Sequence, residues 1–388
     1  MLPVPAVESG AVSNGSPMQV VHCAAYGGPY GGSFIAMLAA AASEAGARGY
    51  PTTLVFSDIA RDRPWLADLD QDLPVRFVDL GASRREGLRP AVREIARIVG
   101  ECTGPVVVHT HFSGFDIAAA LVGGRFRRAS VFWHAHTRLS EGRKIRIRNT
   151  LRYRLLAPFV TRILCVSPDL REMLRSRGAP ADKLVDFPNA IDLNRFVPAT
   201  PERRRSARRA LGLSEEARVV LHFGWDWEVK GGELLLAIAE RMVGLEDVVL
   251  VTVLGEDLRN RARLDGHPNV RALAPSDDVT QLYAASDVFL SCSKDEGMPL
   301  AMLEALACGL PVAATDLPVH RQLLDGLPGG EVIPRDPGPA AAVVERLAAL
   351  SPEARSSHER LARQRAERHG LAEWAKDLVD LYEAVVPS

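Results

Sequence analysis

The segment from Asp287 to Thr315 constrains the fold more than any other part of the chain. It reads Asp287-Val-Phe-Leu-Ser-Cys292, a polar loop Ser293-Lys-Asp-Glu-Gly-Met298, then Pro299-Leu-Ala-Met-Leu-Glu-Ala-Leu-Ala-Cys308 and Gly309-Leu-Pro-Val-Ala-Ala-Thr315. Two apolar runs of strand length bracket a run of helix length, the pattern of a parallel sheet covered on both faces. Pro299 suits the first helical turn, where no N–H is needed. Gly309 stops the helix, and Pro311 prevents its continuation. Between those limits the helix is apolar on every side and is expected to be buried. Glu304 is its only charge. A buried carboxylate is costly without hydrogen bonds, so Glu304 is expected to face polar partners or a ligand. Glu296 lies in the loop feeding the same helix, beside Gly297, where a ligand can come close to the backbone. The free N–H groups at the helix start can hold an anion.

The same alternation runs through the chain. Strand candidates are Gln19–Ala25, Thr52–Phe56, Val75–Val78, Val106–His109, Ser130–Trp133 and Arg162–Val166 in the first half. In the second they are Val219–Phe223, Val248–Leu254, Val270–Leu273, Asp287–Cys292 and Pro311–Ala314. Helical stretches lie between most of them, which predicts parallel, doubly wound α/β sheets. With 388 residues the chain is too long for one core and fits two domains. The arginine-rich, poorly periodic stretch Thr200–Arg209 reads as the connection. The expected layout is a disordered tail at 1–17, an N-terminal Rossmann-like domain at 18–198 and a linker at 199–216. A C-terminal Rossmann-like domain at 217–370 and a final helix at 371–388, packing back toward the first domain, complete it. Ligands of open α/β sheets bind outside the carboxyl ends of the strands, so two such domains predict a site in the cleft between them.

Composition narrows the function classes. The formal net charge is −1, so no global field draws the chain to nucleic acid. No apolar run approaches the length needed to cross a bilayer. Met1–Pro17 lacks a basic region followed by an apolar stretch and does not read as a secretory signal. The five cysteines are scattered without a C-x-x-C pair, which reads as a reduced, cytoplasmic chain.

These residues resemble the family-4 retaining glycosyltransferases (glycosyl transferases group 1), which have the GT-B fold of two facing Rossmann-like domains. Beyond the two glutamates, Pro188-Asn-Ala-Ile-Asp-Leu-Asn-Arg-Phe196 is similar to the family's P-N-G-[IV]-D-x-x-x-F, and Cys165-Val-Ser-Pro-Asp-Leu170 to the strand and helix before it. Phe223-Gly-Trp-Asp-Trp-Glu-Val-Lys-Gly231 is similar to the G-R-x-x-x-x-K-G donor loop, and Gly31-Gly32-Ser33 to the family's N-terminal Gly-Gly. The resemblance runs from about Gln19 to the C-terminal helix. It implies a hexosyltransferase that retains anomeric configuration, uses no metal and no cofactor, and takes a nucleotide-diphosphate sugar (UDP-sugar being the family's commonest) and a hydroxyl acceptor. The pathway types it implies are polysaccharide, glycolipid or secondary-metabolite biosynthesis.

Carried over residue by residue, the resemblance assigns Lys230 to the diphosphate, Glu304 to the ribose hydroxyls and Glu296 to the transferred sugar. Backbone amides near Gly297, Met298 and Leu300 receive phosphate oxygens, and Gly31 and Gly32 approach the phosphates from the other domain. Gly224 and Trp225 lie in the donor loop, and His136 lies near the donor sugar and acceptor. His136, Lys230 and Glu296 are thereby the catalytic candidates. His109, His111, His134 and Arg143 are the acceptor-side candidates. Trp225 stands where the family has arginine, so one positive charge expected at the diphosphate is missing. Ala190 replaces the glycine of P-N-G, and Leu317-Pro-Val-His-Arg-Gln322 departs from the family's glycine and glutamate after Thr315.

Other readings stay open at this level. His109-Thr-His111 and His134-Ala-His136 are H-x-H pairs on strand ends, and alternate strand residues share a face, so each pair can ligate a metal. A metal-dependent hydrolase is one alternative. A nucleotide-sugar 2-epimerase of related fold is another, and a non-catalytic binding protein with Trp225 as the disabling change is a third. The run Arg143–Arg154 is dense in positive charge. It reads either as a solvated helix face or as a patch for an anionic acceptor or the inner face of a membrane.

Overall fold

A computed structural model of the chain describes residues 16–28, 30–81, 84–139, 142–255, 258–275 and 278–386. The expected tail 1–17 falls outside them except for Ser16 and Pro17. The chain divides into two compact units, one running up to Asn189 and including the residues from Ala372 onward, the other Ala190–Leu371.

The first unit holds β1 (Gln19–Ala24), β2 (Thr52–Ser57), β3 (Val75–Val78), β4 (Val106–His111), β5 (Ala129–Ala135), β6 (Arg162–Cys165) and β7 (Leu184–Asp186). They form one parallel sheet in the order β3-β2-β1-β4-β5-β6-β7. The second unit holds β8 (Arg218–Gly224), β9 (Val248–Leu254), β10 (Val270–Leu273), β11 (Val288–Ser291), β12 (Val312–Thr315) and β13 (Gly330–Ile333). Its sheet is also parallel, in the order β10-β9-β8-β11-β12-β13. Both are doubly wound Rossmann-type sheets. The central strands are rich in Val, Leu, Ala and Phe because helices cover both faces, and the first sheet adds buried histidines to them. The strand order reverses between β1 and β4 in one sheet and between β8 and β11 in the other. Those switch points, at the carboxyl ends of the strands, are where such sheets take ligands.

Sequence reading missed β7 and β13. Leu184–Asp186 is three residues long and only half buried, and Gly330-Glu-Val-Ile333 mixes a glycine and a charge into an edge strand. The linker needs a correction. Pro201–Ala210 is a helix of the second unit, capped by the Thr200 hydroxyl accepting from the Arg203 N–H. Its arginines have a buried purpose: Arg204 and Arg208 pair with Asp287, whose carboxylate also accepts from the Val219 N–H. Charges at 202–205 and 208–209, on every side of the helix, hid that face from a periodicity reading. The boundary falls at Asn189 because Ile191 is already tied to the end of the second unit, donating to the His369 carbonyl and accepting from the Leu371 N–H. The helix Leu371–Val385 carries Trp374, which donates to the Pro188 carbonyl, and Tyr382, which is wholly buried beside His109 and Phe132.

Candidate donor site and histidine cluster

In the second unit, β8 and β11 present their carboxyl ends side by side, and the loops leaving them carry the donor-site candidates. The β8 loop, residues 225–231, is held tightly. Gly231 has φ +69°, and a Cβ there would lie 2.0 Å from the Cys292 carbonyl oxygen. Beyond it, a Cβ on Gly232 would enter the Trp227 ring. His222, buried on β8, fixes the loop from below. Its Nε2 lies 3.2 Å from the Lys230 carbonyl and its Nδ1 3.0 Å from the Thr252 hydroxyl. A carbonyl only accepts, so Nε2 carries the proton and Nδ1 accepts from Thr252. Burial lowers the His222 pKa to about 4, which keeps this neutral arrangement at ordinary pH.

The loop delivers Lys230 to Glu296. Lys230 Nζ lies 2.6 Å from Glu296 Oε1, with both side chains largely buried. The same carboxylate oxygen accepts from Ser293 at 2.7 Å. Trp225 is half exposed and lies over the ammonium, 5.1 Å from ring centroid to Nζ. Trp227, by contrast, is internal packing, donating to Glu233 and covered by Arg263. The Ser293 carbonyl accepts from Thr315, at the end of β12, and from Arg335, beyond β13, at 3.3 Å. Gly224, Lys230, Glu296, Gly297, Met298 and Leu300 thus share one end of one sheet.

The helix after the β11 loop is Leu300–Ala307, starting one position later than read from sequence, with Pro299 as its N-cap. The Leu300 and Ala301 N–H groups find no acceptor among the described residues. Glu304 is buried, and its Oε2 lies 2.6 Å from the Tyr283 hydroxyl. It does not join the Lys230–Glu296 pair. Part of its cost of burial is met inside the fold, as the reading without a ligand requires.

In the first unit, helix Gly32–Ala47 starts at the β1 switch point, with Gly32 at φ +55° and Gly31 packed against Trp65 and Ile35. Across β1, β4 and β5, five histidines (22, 109, 111, 134 and 136) pack into one cluster. His109, His111 and His134, expected on the acceptor side, are 0–2% exposed, so in this structure none of them presents a surface to a second substrate. His109 Nδ1 lies 2.5 Å from the Tyr382 hydroxyl. A chain runs from His22 Nδ1 to His111 Nε2 (3.1 Å), from His111 Nδ1 to His136 Nε2 (3.0 Å) and from His136 Nδ1 to Asn189 Oδ1 (3.2 Å). The Asn189 oxygen only accepts, so His136 donates from Nδ1 and accepts at Nε2 from His111, which accepts at its own Nε2 from His22 Nδ1. His136 ends the chain beside Phe34 and Phe112. Phe112 and Ser113 follow β4 with φ +59° and +57°, a conformation costly for residues with a Cβ. Arg143 is exposed at the start of the helix Arg143–Leu156.

Two groups of these histidines, 22/109/111 and 111/134/136, bring nitrogens within 4.8 Å of one another. Their rings stack rather than converge: His109 and His134 are 13° from parallel and His109 and His111 29°. Neither group includes a carboxylate to offset a cation. The hydrogen bonds within the cluster are incomplete: His22 Nε2 and His109 Nε2 are buried without a partner among the described residues. Sequence reading missed His22, Asn189, His222, Ser293, Tyr283 and Arg335. Asn189 lay inside the quoted Pro-Asn-Ala motif, but nothing local marks Arg335.

Two parallel Rossmann-type sheets of this order are the architecture of the GT-B class of glycosyltransferases. Residues 217–350 match the family described as glycosyl transferases group 1, and residues 34–195 match glycosyltransferase family 4. The chain belongs to these glycosyltransferases. Among relatives, it is 33% identical over 199 residues to a D-inositol 3-phosphate glycosyltransferase of Geodermatophilus obscurus, covering 47% of this chain and 44% of the relative. It is 23% identical over 234 residues to an alpha-galactosylglucosyldiacylglycerol synthase of Streptococcus pneumoniae, covering 57% and 60%. The chain spans about half the length of the curated relatives it matches. The structure of Anabaena Alr3699/HepE in complex with UDP and glucose aligns over 95% of this chain and all of that one, with TM-score 0.78 and 18% identity. WaaG, a glycosyltransferase involved in lipopolysaccharide biosynthesis, aligns over 93% and 99%, with TM-score 0.68 and 18% identity. At such identities the likeness is one of fold. No helix among the described residues is long and apolar enough to cross a membrane.

Proposed function

We propose that this chain moves a hexosyl group from a nucleoside-diphosphate sugar, a UDP-sugar first, to a hydroxyl acceptor in the cytoplasm, with retention of configuration and without a metal or cofactor. The observation that carries the reading is the Lys230–Glu296 pair at the second unit's switch point, beside an exposed indole and the open amides of Leu300 and Ala301. An ammonium and free helix N–H groups suit a diphosphate. On donor binding Lys230 turns to the phosphates, which frees Glu296 to accept from hydroxyls of the transferred sugar. Glu304, with one oxygen on Tyr283, is the candidate for the ribose. The bond from the anomeric carbon to the diphosphate oxygen breaks, the acceptor oxygen bonds that carbon on the same face, and its proton passes to a leaving-phosphate oxygen. Charge stabilisation of the departing diphosphate then supplies much of the acceleration. His136 is the first unit's candidate for the sugar and acceptor, with its tautomer set by Asn189 and His111.

Arg335 takes the place of the arginine missing at Trp225. It already reaches the Ser293 carbonyl and is exposed, so its guanidinium can turn to an anion. The test is UDP release from UDP-sugars with and without a mixture of hydroxyl acceptors. Acceptor-dependent release is the expected result, whereas conversion of the sugar without any acceptor would indicate an epimerase instead. In the same assay Arg335→Ala is expected to lower turnover about tenfold or more, and adding Trp225→Arg to recover most of it. An Arg335→Ala variant with unchanged turnover removes Arg335 from the site.

A further inference from the structure

The helix Arg143–Leu156 has one buried side and, facing away from it, an exposed apolar row. One side is anchored in the first unit. Tyr153, Asn149 and Arg152 are buried, Arg152 pairs with Asp116, and its guanidinium lies 4.8 Å from the centroid of the Trp133 ring. The Asp116 carboxylate also accepts from Thr110, so the helix cannot rotate about its axis without breaking a buried ion pair. The other side exposes Ile147 (54%), Leu151 (52%) and Leu155 (65%). These are positions i, i+4 and i+8, one continuous stripe. Phe159, in the turn Ala157–Phe159 that follows, is also exposed.

Scattered exposed apolar residues need no explanation, but an aligned stripe on a rigidly held helix does. Its flanks say what covers it. Arg143, Lys144, Arg146, Arg148 and Arg154 are all exposed, and the helix contains no Asp or Glu. None of the five has a carboxylate partner among the described residues. The rest of the chain offsets this charge, since the whole carries only −1. An apolar stripe edged by long cationic side chains is the pattern of a helix lying in a lipid headgroup layer. The stripe enters the acyl boundary while the guanidinium groups extend to lipid phosphates. A second protein copy would meet the same row of like charges across a twofold contact, which repels.

We infer that the face of the helix Arg143–Leu156 bearing Ile147, Leu151 and Leu155 docks this protein on an anionic phospholipid surface. The acceptor need not be a lipid for this to hold, and the inference does not rest on the donor site. The test is flotation of the full chain with vesicles of phosphatidylcholine alone or with about a third phosphatidylglycerol. The wild type is expected to float with the anionic vesicles at low salt, and at least tenfold less with the neutral ones or in 0.5 M salt. A triple Ile147→Ser, Leu151→Ser, Leu155→Ser variant with unchanged thermal melting is expected to lose binding at least tenfold. Arg146→Gln with Arg148→Gln and Arg154→Gln is expected to lose the preference for anionic vesicles. Failure of the wild type to float, or flotation of the serine variant equal to the wild type, overturns the inference. So does a concentration-dependent dimer that the serine variant abolishes, since a second copy would then occupy the stripe.

Discussion

Lys230→Ala is expected to lower turnover with a UDP-sugar by roughly 10²–10³-fold, with melting temperature changed far less than activity. The ammonium is the cation proposed to face the leaving group, and in a water-excluded site one such charge contributes several kcal/mol to the transition state. The substitution also strands the Glu296 carboxylate, which then keeps the Ser293 hydroxyl as its side-chain partner among the described residues. That costs stability as well, since removing one member of a largely buried pair leaves an uncompensated charge. Lys230→Arg separates the two effects. It keeps the charge and the pair, so it is expected to restore stability fully and turnover in part, because a planar fork does not reproduce the lysine's point charge. Turnover of Lys230→Ala within about threefold of the wild type would remove the residue from the diphosphate.

Acid is expected to unfold the protein between about pH 6 and pH 4.5, well before its surface carboxylates are protonated. Burial lowers the pKa of His22 to about 4 and of His136 to about 3. It also holds His109, His111 and His134 well below their ordinary value, with the neighbouring imidazoles adding to the effect. These groups are depressed in the fold, so below an unfolded pKa of about 6.5 the unfolded chain binds protons that the folded one refuses. The stability they represent is present above that pH and is lost as pH falls toward the folded values. Each histidine removes about 1.4 kcal/mol per pH unit across the window. Five titrating together exhaust an ordinary folding stability of about 5–15 kcal/mol within roughly two units. Thermal melts at pH 7.5, 6 and 5 measure it, and a melting temperature level from pH 7.5 to 5 would contradict the buried, neutral cluster.

How far these features were legible in sequence differs by kind. The α/β class and the strands β1, β2, β8, β9 and β11 were readable because a strand buried on both faces must be apolar throughout, which leaves an unbroken run. The edge strands β7 and β13 were not, because half-buried three- and four-residue strands carry no such run. The helix Pro201–Ala210 was misread as a connection for a related reason: its inward face is arginine, satisfied by Asp287 some eighty positions away, and no local pattern announces a distant carboxylate. At the site, Lys230 and Glu296 were named from the segments that carry them, and the fold brings them into contact across sixty-six positions. Arg335 and His222 reach that site only through the order of strands in the sheet, which sequence spacing does not encode. The histidines show the opposite case. Their residue types and alternation were plain, but spacing did not show that His109, His111 and His134 are buried, nor that Tyr382 of the C-terminal helix bonds His109.

The central claim is that the second unit grips a nucleoside diphosphate through Lys230. Calorimetric titration of the full chain and of Lys230→Ala with UDP and with uridine tests it most directly. The account predicts that UDP binds the wild type at least a hundredfold more tightly than uridine does, and that Lys230→Ala removes most of that difference while leaving uridine binding unaltered. Equal affinity of the two proteins for UDP would contradict it.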